Sequence, residues 1–203
     1  MTFRLHHGAL SPFVRKVMIC VHEKDIAEEI EIVPTKVGAT VVNEELMALN
    51  PIGKIPTLIT EGGEAIYDSL VIIDHLDHVF PDKPMIPTEP PARLQALRQS
   101  ATADGLIVAG VLAKGQMARP DEQQWAEFRD ANWAKAQSCA PALANDLRPN
   151  AAFDIGHAAT AAALGWLDAR APEIDWRASN AELATWFENA STRPSLELTR
   201  PGI

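Results

Sequence analysis

LSPFVRKV, residues 10–17, follows a short apolar stretch at the beginning of the chain and reads as the start of a helix. Ser11 fits the N-cap, where a side-chain oxygen accepts a hydrogen bond from a free backbone amide, and Pro12 fits the first helical position. Taken as a spacing, Ser11-Pro12-Phe13-Val14 is a CPFC dithiol helix with both sulfurs removed. Thiol–disulfide exchange therefore has no nucleophile here. A hydroxyl at a helix N-terminus can instead donate to an anion. If that anion is the thiolate of a bound ligand, the energies suffice. A free thiol of pKa about 8.5 is only a few per cent ionised at neutral pH, and lowering it by about 2 units takes about 2.7 kcal/mol. One charge-assisted hydrogen bond supplies roughly 1.5–3 kcal/mol and the helix N-terminus roughly 0.3–1. On this stretch alone a simple N-cap is the plainer explanation.

Outward from that helix, residues 1–80 read as mixed α/β. TFRLHH is a short strand, and residues 12–24 carry Phe13, Val17, Met18 and Val21 at helical spacing. IEIVP (30–34) alternates like a strand and stops at a proline. VGATVVNEELMALN is a loop leading into a short helix. IPTLIT (55–60) and EAIY (64–67) flank EGG as a hairpin, and DSLVIIDHLDHVF (68–80) is helical. The order is β-α-β-α-β-β-α, with the first two strands parallel because a helix joins them and the last two antiparallel.

The composition then shifts. PDKPMIPTEPP (81–91) holds five prolines and reads as a linker. Beyond it no strand pattern follows, and 92–118, 121–147, 155–171 and 179–190 read as helices. The expected architecture is an α/β domain over 1–80, a linker over 81–91 and an all-α domain over 92–203.

The bulk properties narrow the function. Net charge is −9, which argues against broad nucleic-acid or anionic-membrane binding while leaving room for a local basic pocket. The first ten residues lack the long apolar core of a signal peptide, and the longest apolar run, LIVAGVLA (106–113), is too short to span a bilayer. The two cysteines, Cys20 and Cys139, form no CxxC or metal pattern and suit a reducing cytoplasm, with a single disulfide between them left open. No metal site is expected. His6 and His7 are adjacent on a strand, point to opposite faces, and so do not chelate as a pair.

Two further stretches bear on chemistry. In NPIGKIPTLI (50–59), Gly53 permits a turn and Pro56 opens a strand where its missing N–H does no harm. The N–H and C=O of Ile55 can then pair with an extended peptide; taken alone, the segment is a turn. In YDSLVIIDHL (67–76), Asp68 and Ser69 sit where a strand meets a helix. Free amides there suit a carboxylate and Asp68 suits an ammonium group, so the pair fits the α-amino acid end of a γ-glutamyl peptide. A capped helix explains the same residues.

Together, and in this order, the three stretches resemble the cytosolic glutathione S-transferase family, in its serine-type branch. The resemblance extends over nearly the whole chain. SPFVRKV matches the family's catalytic helix start, NPIGKIPTL its cis-proline loop and YDSLVIIDHL its γ-glutamyl-binding turn. ATADGLIVAGVL and FDIGHAATAAALGWLDAR resemble the fourth and sixth helices of bacterial members. The resemblance implies a thioredoxin-like first domain, an all-helical second domain and a homodimer. It implies that Ser11 stabilises the glutathione thiolate, that Ile55 before a cis Pro56 pairs with the cysteinyl part, and that Asp68 and Ser69 take the γ-glutamyl amine and carboxylate. Lys54 would lie near the glycyl carboxylate, and Asp104 would reach the γ-glutamyl end of glutathione in the partner subunit. A small electrophilic co-substrate would lie against Phe13 and the helix around Leu106, although core and dimer packing accounts for most of that stripe.

Two positions depart from the family pattern. Asp68 stands where many relatives have glutamate, one methylene longer. In the sixth helix the usual Ser or Thr with Asp three residues later becomes Asp154 with His157, which puts the stability of the capping pair in question. The expected activity is addition of the glutathione thiolate to a small electrophile. The alternative is a binding or scaffold protein of the same fold without turnover.

Overall fold

In a computed structural model, which describes residues 2–148, 151–178 and 180–201, the chain begins with the expected β-α-β-α-β-β-α order. The elements are β1 (Phe3–His7), α1 (Pro12–Glu23), β2 (Ile30–Pro34), α2 (Glu44–Leu49), β3 (Thr57–Ile59), β4 (Ala65–Ile66) and α3 (Ser69–Val79). The strands form one sheet in the order β2-β1-β3-β4. β1 runs parallel to β2, with Phe3 opposite Ile30, and antiparallel to β3, with Arg4 opposite Ile59; β3 and β4 close an antiparallel hairpin. This is the thioredoxin-like mixed sheet the sequence led us to expect.

Alternation along β1 buries Phe3 and Leu5, and α1 and α3 cover the sheet with Val17, Cys20, Val21, Ile72, Ile73 and Leu76. Cys20 is buried, burial raises its thiol pKa far above the ordinary range, and both Cys20 and Cys139 are free thiols, so the disulfide left open above does not form.

The remaining elements are helical: α4 (Pro90–Met117), α5 (Ala126–Asn145), α6 (Ile155–Arg170), α7 (Ala181–Ala190) and α8 (Pro194–Leu198). Two expectations need correction. The proline-rich segment ends earlier than 91, because Pro90 and Pro91 form the first turn of α4. Proline is well placed there, since first-turn amides have no intrahelical partner to lose. The second helix begins at Ala126 rather than 121, after a separate short 3₁₀ turn at Asp121–Gln123. The short α8, opened by Pro194, was not anticipated.

α6 is the axis of the helical half. It is buried continuously from Ile155 to Leu167 and packs against α1 and α4. Its start shows that the Asp154–His157 departure is a working cap. The Asp154 carboxylate accepts from the amides of Gly156 (2.9 Å) and His157 (3.2 Å), while His157 Nδ1 faces the Asp154 amide at 3.2 Å. Arg148 adds two hydrogen bonds to the same carboxylate, of 2.7 and 3.0 Å. Burial raises the Asp154 pKa, but hydrogen bonds from His157 and Arg148 outweigh it and hold the carboxyl below its usual range. The imidazole also stacks on Phe153, with ring centroids 5.5 Å apart. α8 is tied back to α1, where Glu23 accepts from Arg193 Nε (2.8 Å) and Nη2 (2.7 Å) and from the Ser195 hydroxyl.

Candidate functional site

Ser11 is the N-cap of α1. Its backbone is extended and its Oγ accepts from the Val14 amide at 3.3 Å. A hydroxyl offers one donor and two acceptor lone pairs. Capping engages an acceptor, and no protein acceptor takes the Ser11 O–H proton among the described residues. Structural capping and donation to a ligand are therefore compatible in one side chain. The turn before it is closed by the Ser11 N–H donating to Gly8 C=O at 2.9 Å.

Gly8 also brings the second motif to the first. A Cβ at Gly8 would stand 2.6 Å from Ile55 Cδ1, so the missing side chain is what lets the Ile55 loop press against the β1–α1 turn. The Ile55–Pro56 peptide is cis. Asn50 and Thr57, both buried, hold this loop by donating to the Lys54 C=O at 3.1 and 2.9 Å. Pro56 is buried, Ile55 is half-buried, and the Lys54 ammonium is exposed with no salt bridge among the described residues. No hydrogen bond among the described residues uses the Ile55 N–H or C=O.

At the third motif Asp68 is exposed and caps α3, accepting from the Leu70 amide at 3.1 Å. Ser69, the first residue of α3, is buried, and no hydrogen bond among the described residues uses its hydroxyl. Asp104 on α4 comes to the same corner. It receives Lys16 Nζ at 2.9 and 2.7 Å, and Lys16 is itself only 1% exposed. Burial raises the Asp104 pKa, Lys16 opposes that rise, and the negative charge of Asp68 adds to it. Its carboxylate is anchored on Lys16 and feels the charge of Asp68 in its own chain.

The expected co-substrate contacts fare differently. Leu106 is fully buried in the core and lines no surface, because it lies on the side of α4 that meets α5 and α6. That assignment is withdrawn. Phe13 is half-buried, with the Lys16 ammonium 5.8 Å from its ring centroid. The space beside Ser11 opens toward α6, in a narrow slot lined by Pro12, Arg15, Trp166 and Arg170. Sequence reasoning missed Arg15, Lys16 and Trp166. The available signal was a pair of adjacent cations inside an apolar helix; because α1 is enclosed on nearly all sides, both are buried. His6 Nδ1 lies 2.9 Å from Thr35 Oγ1, and burial lowers the pKa of both His6 and His7.

Residues 5–84 match the family model of the glutathione S-transferase N-terminal domain. The chain is 30% identical over 196 residues to the uncharacterized GST-like protein YibF of Escherichia coli K12, covering 94% of this chain and 95% of that protein. This chain belongs to the glutathione S-transferase family. A glutathione transferase family member from Pseudomonas fluorescens Pf-5, solved with bound glutathione, matches this chain with a TM-score of 0.94 at 34% identity, and both chains are covered completely. A second structure from that bacterium, with bound S-(propanoic acid)-glutathione, matches at a TM-score of 0.91, also at 34% identity and with both chains covered completely. Glutathione is the co-substrate of the family. No helix among the described residues is long and apolar enough to cross a membrane.

Proposed function

We propose that this protein is a serine-type glutathione transferase in which Ser11 activates the thiol of glutathione for attack on a small electrophile. In this reading the Ile55 backbone pairs with the cysteinyl unit, Asp68 and Ser69 take the γ-glutamyl amine and carboxylate, and Asp104 reaches the γ-glutamyl end of glutathione bound to the partner subunit. Lys54 attracts the glycyl carboxylate, and Phe13 borders the acceptor. Residues 1–80 form the glutathione-binding domain and 92–203 the domain that completes the acceptor site. The thiol proton leaves to solvent and the Ser11 O–H donates to the resulting thiolate. The sulfur pair then forms a carbon–sulfur bond, while the leaving group departs with its own pair or a π pair shifts to a neighbouring atom and is protonated by water.

The observation that carries this reading is the free donor of the Ser11 hydroxyl at the start of a 12-residue helix. The conjugate held by the Pseudomonas relative, glutathione bearing a short acid on its sulfur, is the kind of product such a site would make. We also assign the protein to the cytoplasm, to detoxification and to a homodimer. The exposed Leu94, Val108, Val111 and Leu112 on one helix supply an apolar face for dimerisation. Retention on glutathione-agarose combined with turnover of 1-chloro-2,4-dinitrobenzene, lost in Ser11→Ala, supports catalysis. Retention without turnover favours a binding protein, and turnover unchanged in Ser11→Ala removes the role given to that hydroxyl.

A further inference from the structure

Arg15 lies one helical turn beyond Ser11, its amide donating to the Ser11 C=O at 2.9 Å. Its guanidinium runs between α1 and α6 and is 7% exposed. Gly165 makes the room: a Cβ there would stand 2.0 Å from Arg15 Nη1. Nη1 donates to the Ala161 C=O at 3.2 Å, while Nε has no hydrogen-bond partner. No carboxylate pairs with Arg15 among the described residues. The acid that faces it, Asp168, is already engaged. Asp168 takes both terminal nitrogens of Arg177, with Nη2 at 2.8 Å, and the Trp176 indole N–H at 2.9 Å. Burial, and then the charge of Arg200, lower the Arg15 pKa to about 10, so the group still carries its charge at neutral pH. A buried cation with a second cation in reach, whose facing acid is already taken by Arg177 and the Trp176 indole, is costly unless a ligand supplies a further anion.

Arg15, Arg170 and Arg200 line one cavity of about 700 Å³, whose wall also holds Asp168, the acid already taken by Arg177. Neither Arg170 nor Arg200 forms a salt bridge among the described residues. Leu10, Phe187 and Leu196 supply apolar wall, which suits an organic anion better than free phosphate. The slot beside Ser11 shares Leu10, Arg15, Arg170 and Pro201 with this cavity, so the two adjoin.

We propose that this cavity is a carboxylate subsite for the acceptor, and that the preferred electrophiles are small organic acids whose reactive carbon lies a few bonds from the carboxylate. This deepens the transferase reading and rests on it. The planar fork of a guanidinium matches a carboxylate in two parallel hydrogen bonds, and a buried one discriminates against neutral isosteres. With a 3-halopropanoate, the thiolate pair forms the sulfur–carbon bond at C3, the carbon–halogen bond breaks, and halide leaves with its pair. The carboxylate is unchanged and remains on the arginines.

Calorimetric titration of the full chain with glutathione, S-propylglutathione and S-(2-carboxyethyl)glutathione tests this. We expect the carboxyethyl conjugate to bind about tenfold or more tightly than the propyl one, the ratio one charged hydrogen-bonded pair supports. Arg200→Gln and Arg170→Gln, both at exposed positions, should each shrink that ratio while leaving glutathione affinity in place. Arg15→Gln should abolish the ratio, and circular dichroism establishes whether that variant folds. Equal affinity for the two conjugates overturns the subsite and leaves the glutathione site standing. Weakening of all three ligands alike by Arg200→Gln also overturns it, because the arginines would then hold a carboxylate of glutathione itself. Failure of all three to bind removes the transferase reading, and the subsite with it.

Discussion

Removing the Ser11 hydroxyl separates its two roles. As an N-cap the residue stabilises α1 through one 3.3 Å contact to the Val14 amide, and Ser→Ala at such a position costs about 1 kcal/mol. In a chain of 203 residues that lowers the melting temperature by about 2–4 °C. As a donor to a bound thiolate it is worth roughly 1.5–3 kcal/mol, or about 1–2 units of the glutathione pKa. The helix N-terminus remains in the variant and keeps a few tenths of a unit. Bound glutathione in the wild type should therefore titrate about 1.5–3 units below its value in solution, and in Ser11→Ala by less than about 1 unit. The rate deficit of the variant should be about 10- to 100-fold at mildly acid pH and should vanish above about pH 9, where both thiols are ionised. Ser11→Gly sharpens the test, since glycine costs a cap only a few tenths of a kcal/mol and lacks the hydroxyl as completely as alanine. The ultraviolet absorbance of the bound thiolate against pH reads the pKa directly. Coincident titration curves for wild type, Ser11→Ala and Ser11→Gly, all with glutathione bound, would refute the reasoning.

Other sites yield predictions of stability. Asp154→Ala should cost about 2 kcal/mol or more by chemical denaturation, because it removes a cap and leaves Arg148 without its carboxylate. Since the folded-state pKa of Asp154 is depressed, its contribution is complete above the ordinary carboxylate range and is lost as pH falls through the folded value. The gap between wild type and Asp154→Asn should accordingly close in acid. Asp104→Ala, which strands the buried Lys16 ammonium, should cost about 3 kcal/mol, and adding Lys16→Met should restore part of that loss. Gly110→Ala would place a Cβ 2.5 and 2.7 Å from the Trp166 ring and should cost about 1–3 kcal/mol, while Gly115→Ala on the same helix, facing open space, should be neutral or stabilising. Equal melting temperatures for the two alanine variants would contradict the packing of α4 on α6.

What the linear order of residues settled here are features whose causes act over three or four positions. Ser11 with Pro12, Asp68 with its helix and the EGG hairpin all belong to this class. A capping oxygen reaches only the next turn, and a side chain's face follows from its local period. The His157 closure of the Asp154 cap was equally local. It was misjudged because an imidazole nitrogen, here 3.2 Å from the Asp154 amide and 2.9 Å from its carboxylate, was not counted as a partner able to replace a carboxylate in the cap.

Packing across long sequence separations settled the rest. Lys16 and Asp104 lie 88 positions apart, and Arg15 and Ala161 lie 146 apart. Whether such groups meet depends on how each helix is rotated about its axis, and α4 carries apolar residues on several sides. Leu106 is fully buried while Val108, two positions on, is half exposed, and composition does not distinguish them. The same rotation decides that Asp168 answers Arg177 and leaves Arg15 facing a cavity. Hydrogen-bonded caps are short-range and therefore written along the chain, whereas the pairing of buried charges depends on the three-dimensional arrangement of helices that no single helix encodes.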